Sequence, residues 1–379
     1  MRILIAIGVP RRREAGAASV VLNHARELEK RGHQVDCWFL DDILEQSAQS
    51  KRFEALVFAV RVSKRIVREK DKYDVVNIHA PWGCVYGKRR KMFSTKGAPP
   101  YVLTMHGSED RYVRMMREEQ RKGRAAHFGW TNRLWHWVYH RPMYAASIRT
   151  ADYGAVVNRE AWIGAELKYR VGPGRIRFVP NGVDEQFFLE HDYVAGSPVR
   201  LLYVGTWLDR KGIYYLRDAF QRAVQSGTAV SLTVAGCGKT ERELRDFFST
   251  SARDLIHVLP FVERERMPQI YAAHDIFVFP SLMEGMPLTL LEAMAAGLPV
   301  VTTETCGMAD VVEDGFDGLL VRPADAEDLA QAIQRLCENP DLRCQLGRQA
   351  QITMRRYTWD HAADKLEKLF ALAVAKGKE

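Results

Sequence analysis

The chain begins with an unbroken apolar run, Ile3-Leu4-Ile5-Ala6-Ile7. The absence of polar alternation marks a strand buried on both faces, as in parallel sheets. Gly8 ends it, and the loop PRRREAGAAS leads into SVVLNHARELEKRGHQVDCWFL, where Val20, Val21, Ala25 and Leu28 recur at helical spacing. Gly32 stops that helix before a second strand over 34–40, which completes one βαβ unit. A basic helix, SKRFEALVFAVRVSKRIVREK, follows, and then strands over 74–79 and 101–105. Short strands are also expected over 155–157 and 176–179. The pattern restarts after PNGVDEQFFLEHDYVAGSP: strands over 199–204, 230–234, 257–259, 276–279 and 299–302 alternate with helices over 213–224 and 241–248. Strands alternating with helices predict two α/β domains, each a doubly wound parallel sheet of the Rossmann-like kind. Sheets of this kind bind ligands at the carboxyl ends of their strands, so a cleft between two facing domains is the expected site.

Length agrees with this division, since 379 residues exceed what one core usually serves. The boundaries expected are 1–180 and 181–357, with a closing amphipathic helix over 358–379, YTWDHAADKLEKLFALAV, that crosses back to the first domain. The opening MRILIAIGVPRRR reads as a strand rather than a secretory leader, because its apolar run is short and most of its charges follow that run. Six cysteines show no CxxC pair and no zinc-ligand spacing, which points to free thiols in a reducing cytoplasm.

Charge divides the chain more sharply than composition does. Residues 1–180 hold 34 Lys and Arg against 18 Asp and Glu, a balance of +16, so the remainder carries −8 of the total of +8. A basic first half favours an anionic partner such as a phospholipid surface, a lipid-linked phosphate or an acidic glycan. Within it, Trp130, Trp135, Trp137 and Tyr139 interleave with Arg133, His136 and Arg141, and Lys88-Arg89-Arg90-Lys91 adds a second cluster. Aromatics beside cations suit a membrane interface or single-stranded nucleic acid; helical packing with buried Trp and solvated Arg explains them equally well.

The most informative stretch is PSLMEGMPLTLLEAMAAGLPVVTTETCG, 280–307. Pro287 suits the first position of a helix and Gly297 the left-handed residue that ends one, so a helix over 287–296 is expected. Its start leaves N–H groups unpaired and carries partial positive charge, which suits phosphate or sugar oxygens over Glu284, Gly285 and Met286. Glu284 before the helix and Glu292 within it suit neutral hydroxyl partners, because carboxylates accept hydrogen bonds from sugars and ribose. A nucleotide-sugar meets all of these demands, although a solvated turn and an ordinary Glu fit the stretch alone as well.

Other sites fail or survive on spacing. GCGKT at 236–240 lacks the Gly of a phosphate-binding P-loop, since position 233 is Thr. No GxGxxG follows the first strand, and HExxH spacing is absent. GTWLDRKG, 205–212, survives: it follows a strand and precedes a helix, Gly205 admits close backbone approach, and Arg210 with Lys211 places cations where a diphosphate can lie. His106-Gly107 ends the fourth strand, where cleft residues sit, though a structural His is the commoner case.

Taken together these residues resemble glycosyltransferase family 4, the retaining GT-B enzymes. Glu284 and Glu292 form its E-x7-E pattern, and the likeness extends to Gly16 in a small-residue loop, KRGHQV, His106-Gly107, VPNGVD, VGTWLDRKG and GFDGLLVRPADAEDLAQAI. The resemblance implies that Lys211 neutralises the donor diphosphate, that Glu292 holds the ribose, and that Glu284 with the backbone of Gly285, Met286, Pro287 and Leu288 holds the transferred sugar. It implies that His106 contacts that sugar and the reacting phosphate, making His106, Glu284 and Lys211 the catalytic set, and that Gly16 lets the first loop close over the diphosphate. Gly205, Thr206 and Arg210 complete the donor site. Thr206 departs from the family, which usually has Arg directly after that glycine; Arg210 is the candidate replacement.

The resemblance implies a metal-independent hexosyltransferase with no cofactor, a UDP- or GDP-sugar donor, and a glycan or lipid-linked acceptor in polysaccharide, lipopolysaccharide or glycolipid synthesis. The location expected is cytoplasmic with no nucleic acid, and the +16 balance of the first half with its two basic clusters points to peripheral contact with anionic membrane at its inner face. The resemblance also brings same-face attack by the acceptor with retention, the leaving phosphate taking the proton. Two alternatives stand beside it: a sugar-nucleotide epimerase of the same fold, and a non-catalytic module that docks membrane or nucleic acid through its basic half.

Overall fold

A computed structural model of the chain describes residues 1–11, 16–44, 53–92, 97–124, 129–191, 193 and 198–377. Two six-stranded sheets are present, each parallel throughout. The first contains β1 (Arg2–Ala6), β2 (Gln34–Trp38), β3 (Val75–His79), β4 (Tyr101–Met105), β5 (Tyr153–Val156) and β6 (Ile176–Phe178), in the order β2-β1-β3-β4-β5-β6. The second contains β7 (Val199–Val204), β8 (Val230–Ala235), β9 (Ile256–Leu259), β10 (Ile276–Phe279), β11 (Val300–Thr303) and β12 (Leu319–Val321), in the order β12-β11-β10-β7-β8-β9. The continuous apolar runs lie in the middle of these sheets, with Ile3, Leu4, Val75, Val76, Phe277 and Val278 fully buried. In each sheet the winding reverses once, between β1 and β3 in the first and between β7 and β10 in the second. Doubly wound sheets hold their ligands at such reversals, beyond the carboxyl ends of the strands.

The chain divides into two compact units whose bounds are not contiguous in sequence. One comprises Met1–Val113, His127–Asn181 and Trp359–Glu379; the other comprises Arg114–Ala126 and Gly182–Thr358. In the first, helix Trp359–Lys376 lays Ala363, Leu366, Leu369, Phe370 and Ala373 against Ile3, Ile5, Val75, Val102 and Ala155 on one face of the sheet. Burying each Leu or Phe of that kind stabilises by roughly 1.5–3 kcal/mol. Arg31 strengthens the attachment through Asp360 at 2.8 Å and Glu367 at 3.0 Å. The opposite face is covered by Phe58, Val62 and Ile66 of helix Glu54–Arg68 together with Tyr86, Tyr144 and Ile148.

Arg114–Ala126 groups with the second unit, which no boundary near residue 180 anticipates. The physical reason is a polar anchor. Glu119, only 2% exposed, accepts from the Tyr215 hydroxyl at 2.6 Å and pairs with Lys122, whose ammonium also reaches the Tyr215 oxygen at 2.9 Å. Arg124 lies over the Tyr215 ring and pairs with Asp218 at 3.3 Å. Smaller differences from the periodicity are local. β2 stops at Trp38 because the Asp42 carboxylate accepts from the Phe39 N–H and starts a short helix, Leu40–Ile43. β12, Leu319–Val321, has no counterpart among the strands expected from the pattern.

Candidate functional site

In the second unit the reversal between β7 and β10 is built by two loops stapled to each other. Gly205 follows β7 with φ of 148°, and Gly212 closes the loop with φ of 74°, both in the region that favours glycine. A Cβ on Gly212 would stand 1.9 Å from the Pro280 carbonyl oxygen, so only glycine lets the two loops meet. Leu282 N–H donates to the Arg210 carbonyl at 2.9 Å and the Ser281 hydroxyl donates to the same oxygen at 3.1 Å. The turn Asp209–Lys211 is thereby held against the loop that follows β10.

The staple brings Arg210, Lys211 and Glu284 together. Lys211 Nζ lies 2.8 Å from Glu284 Oε1, and the Arg210 guanidinium donates to the same oxygen. Lys211 also sits 4.9 Å from the centre of the Phe279 ring. Burial opposes ionisation of Glu284, but Lys211 and Arg210 outweigh it and hold the carboxyl below its ordinary range. Burial likewise pushes Lys211 down, partly offset by Glu284. Two cations thus flank one carboxylate, with Arg210 the more exposed of the pair. Thr206 is exposed and supplies its carbonyl to the Tyr203 hydroxyl at 3.2 Å.

The helix beyond this cluster runs Leu288–Ala295, with Pro287 as its extended N-cap and Gly297 left-handed at φ of 79°. It starts one residue later than the sequence suggests, because Pro287 keeps ψ of 122° and so stands outside the helix. The turn Glu284-Gly285-Met286 is fixed from behind: Gly307 N–H donates to the Glu284 carbonyl at 3.2 Å, and a Cβ on Gly307 would fall 1.7 Å from the Gly285 oxygen. Glu292 is buried deeper, one oxygen accepting from Arg264 at 3.0 Å and the other from the Tyr271 hydroxyl at 3.0 Å. Arg264 also pairs with Asp184 at 2.7 Å. Burial raises the Glu292 carboxyl above its ordinary range in spite of Arg264. Each carboxylate meets its cations at one oxygen, Glu284 taking Lys211 and Arg210 at Oε1 and Glu292 taking Arg264 at Oε1.

In the first unit His106 follows β4 and His79 ends β3, beside the reversal in that sheet. His79 Nδ1 and His106 Nε2 are 2.6 Å apart. Burial pushes both imidazoles down, His106 to about 4; for His79, His106 and His24 add to the effect. His24, also pushed to about 4 by burial and by His106, meets the edge of Trp359 at 5.5 Å. Gly16 opens helix Gly16–Lys30, and a Cβ there would meet open space, so nothing among the described residues demands glycine at that place.

Residues 15–187 match the family described as Glycosyltransferase Family 4, and residues 198–339 match the one described as Glycosyl transferases group 1. The chain belongs to glycosyltransferase family 4. An uncharacterized glycosyltransferase of Methanocaldococcus jannaschii is 24% identical over 318 residues, 83% of this chain and 80% of its own. The UDP-Gal:alpha-D-GlcNAc-diphosphoundecaprenol alpha-1,3-galactosyltransferase of Escherichia coli is 24% identical over 317 residues, 80% of this chain and 76% of its own. Other curated relatives match over about half of their length. Among solved structures, sucrose-phosphate synthase from Thermosynechococcus elongatus superposes with a TM-score of 0.79 at 18% identity, over 99% of this chain and 100% of that one. That likeness is one of fold, and the fold is GT-B.

Three residues that touch the predicted ones, two in the second unit and one in the first, escape the sequence reading. Arg264 stands in FVERERMPQIY, where nothing distinguishes it from its charged neighbours, and Tyr271 reads as core. His79 carries a usable signal, because it ends a strand as His106 does. The aromatic segment is a single helical stretch, Trp130–Trp135, a π turn His136–His140 and Arg141–Thr150. Tyr139 and His136 are buried, whereas Trp130, Trp137 and the arginines are exposed.

Proposed function

We propose that this glycosyltransferase moves a hexose from a UDP- or GDP-sugar to a hydroxyl of a glycan or lipid-linked acceptor, with retention and without a metal ion, in the synthesis of cell-surface polysaccharide, lipopolysaccharide or glycolipid at the cytoplasmic face of the membrane. The observation that carries this reading is the convergence of Arg210 and Lys211 on Glu284 at the β7/β10 reversal, beside the start of helix Leu288–Ala295. In the reaction the bond from the anomeric carbon to the diphosphate oxygen breaks, and the acceptor oxygen bonds that carbon from the same face. The hydroxyl proton goes to the departing phosphate.

Negative charge grows on the diphosphate as the bond breaks, so cations already in place stabilise the transition state more than the ground state. Lys211 and Arg210 supply those cations, and Arg210 takes the part that Arg in place of Thr206 would have. Glu284, already ionised, accepts from hydroxyls of the moving sugar, and Glu292 from the ribose. His106, neutral at physiological pH, serves as a hydrogen-bond partner of the sugar rather than as a fixed charge. A lipid-linked acceptor is supported by the name of the Escherichia coli relative, which specifies a diphosphoundecaprenol acceptor and a UDP-galactose donor.

Thermal unfolding against a panel of nucleoside diphosphates and their sugars identifies the donor, since a ligand of the folded state raises its stability by mass action. Proton NMR of the product made in the presence of a chelator then tests the chemistry. A product of inverted anomeric configuration refutes retention, and loss of turnover with chelator refutes metal independence. Conversion of the donor alone into an epimer would favour the epimerase reading.

A further inference from the structure

Arg210 and Lys211 converge on a single atom, Glu284 Oε1, with Lys211 Nζ at 2.8 Å. The Lys211 side chain is 12% exposed and the Glu284 side chain 14%. In so dry a place a carboxylate competes strongly for any cation it touches, because water screens neither partner. A phosphate oxygen that needs the same two cations must displace this carboxylate or share them with it.

The main chain leaves the carboxylate no means of following its cations. The Glu284 carbonyl accepts from Gly307 N–H at 3.2 Å and the Ser281 carbonyl accepts from the Thr303 hydroxyl, so the turn is pinned by the end of β11 and the residues beyond it. Arg210 is pinned as well, its carbonyl accepting from Leu282 N–H and from the Ser281 hydroxyl. Only side chains can adjust. The Ser281 hydroxyl lies 3.5 Å from Glu284 Oε1, but it also faces the Arg210 carbonyl at 3.1 Å and the Met283 carbonyl at 3.4 Å, one proton before three acceptors. Among the described residues it is the one neutral donor at Oε1. A carboxylate deprived of Lys211 and Arg210 is therefore poorly compensated by its own loop.

We propose that Glu284 is the resident counter-ion of these two cations and that it sets the preference of the site for a nucleotide sugar over the nucleoside diphosphate left after transfer. This rests on the reading given above, in which Lys211 and Arg210 receive the diphosphate and Glu284 the sugar. A nucleotide sugar brings phosphates for the cations and hydroxyls for the displaced carboxylate, which can only accept. A nucleoside diphosphate brings the phosphates alone and leaves a buried carboxylate beside them with neither cation to itself. Once the sugar has moved to the acceptor, Glu284 reclaims Lys211 and Arg210, and like charge drives the spent nucleotide out. Two anions compete for one pair of cations, and the hydroxyls of the sugar decide between them.

The test is isothermal titration of the full chain with UDP, UDP-glucose, UDP-galactose, GDP and GDP-mannose, on the parent and on Glu284→Gln, Glu284→Ala and Lys211→Ala. The parent is expected to hold its preferred nucleotide sugar about tenfold more tightly than the matching diphosphate, the scale of a hydrogen bond to a charged group. Both Glu284 variants should bind that diphosphate about tenfold more tightly than the parent does, because Lys211 and Arg210 then have no competing charge, and should lose the preference for the sugar. A Glu284 that merely braces Lys211 gives the opposite sign. Diphosphate affinity in both variants at or below that of the parent would overturn the proposal. So would a parent that binds the diphosphate as tightly as the nucleotide sugar, a comparison that needs no variant. Lys211→Ala separates this from the reading beneath it: parental affinity for both ligands there refutes a diphosphate at Lys211, whereas weakened binding there with no gain at Glu284 refutes the counter-ion alone. A parent that binds none of these ligands refutes both.

Discussion

His79 Nδ1 and His106 Nε2 share one hydrogen bond of 2.6 Å, and His79 Nε2, buried, has no partner among the described residues. If His79 accepted, its Nε2 would carry a stranded N–H; if it donates, Nε2 holds only an unpaired lone pair, the better tolerated of the two in a buried place. The favoured arrangement has His79 donate from Nδ1, which leaves His106 accepting at Nε2 and protonated at Nδ1. His79 is then a positioning residue that fixes the tautomer and orientation of His106. His79→Ala should lower kcat by about tenfold to a hundredfold with little change in donor KM, and His79→Asn, whose amide can donate from nearly the same place, should recover most of it. Steady-state kinetics of the two variants provide the check; equal losses in both would show a merely structural role.

The same histidines make stability depend on pH. His24 and His106 are pushed to about 4, and burial also pushes His79 down, against an ordinary value of 6.5. Between about 4 and 6.5 the unfolded chain binds more protons than the folded one, so stability is full above 6.5 and falls as pH drops through that window. Glu292 and Asp317, raised by burial, act in the opposite sense, but His140 and His274 are also lowered, which sets two carboxyls against five histidines. The urea midpoint should be lower at pH 5 than at pH 7, and His24→Phe should reduce the difference.

Arg210 and Lys211 meet at one carboxylate, and this gives the departure at Thr206 a test. Lys211→Ala should lower turnover about a hundredfold or more, the usual scale for losing one pre-placed donor to a growing negative charge. Arg210→Ala should lower it by a smaller factor, and adding Thr206→Arg to that variant should restore activity if the two positions serve one phosphate. Single-turnover rates with saturating donor measure this; no recovery in the double variant would separate the two positions.

Arg264 holds Glu292 and Asp184 at once. Arg264→Met should leave two carboxylates without their shared cation and lower stability by about 3 kcal/mol, the lower end for breaking a buried ion pair, since Arg264 is partly exposed. Chemical denaturation gives the value, and Glu292→Gln in the same background should return part of it by removing one stranded charge.

These relationships show what was legible in the sequence. β1, β7 and β10 announced themselves because burial on both faces permits only apolar residues, and Gly297 because a left-handed helix end favours glycine. Lys211 and Glu284 were found as separate motifs, seventy-odd positions apart, and their pairing was invisible because the staple that joins them uses the backbone of Arg210, Leu282 and Pro280. Arg264 was missed for a related reason: its partners come from Asp184 and Glu292, and a lone Arg among charged neighbours carries no periodicity. The membership of Arg114–Ala126 in the second unit rests on one buried carboxylate, Glu119, which in sequence is an ordinary member of a charged helix.

The helix Trp359–Lys376 covers a sheet whose strands all lie within the first 180 residues. On the ribosome those strands emerge long before their cover exists. Until Trp359–Lys376 is made, Ile3, Ile5, Val75 and Val102 have an open face, and the second unit has to be threaded through while that face waits. A nascent chain halted before Trp359 leaves that apolar face uncovered and exposed to aggregation.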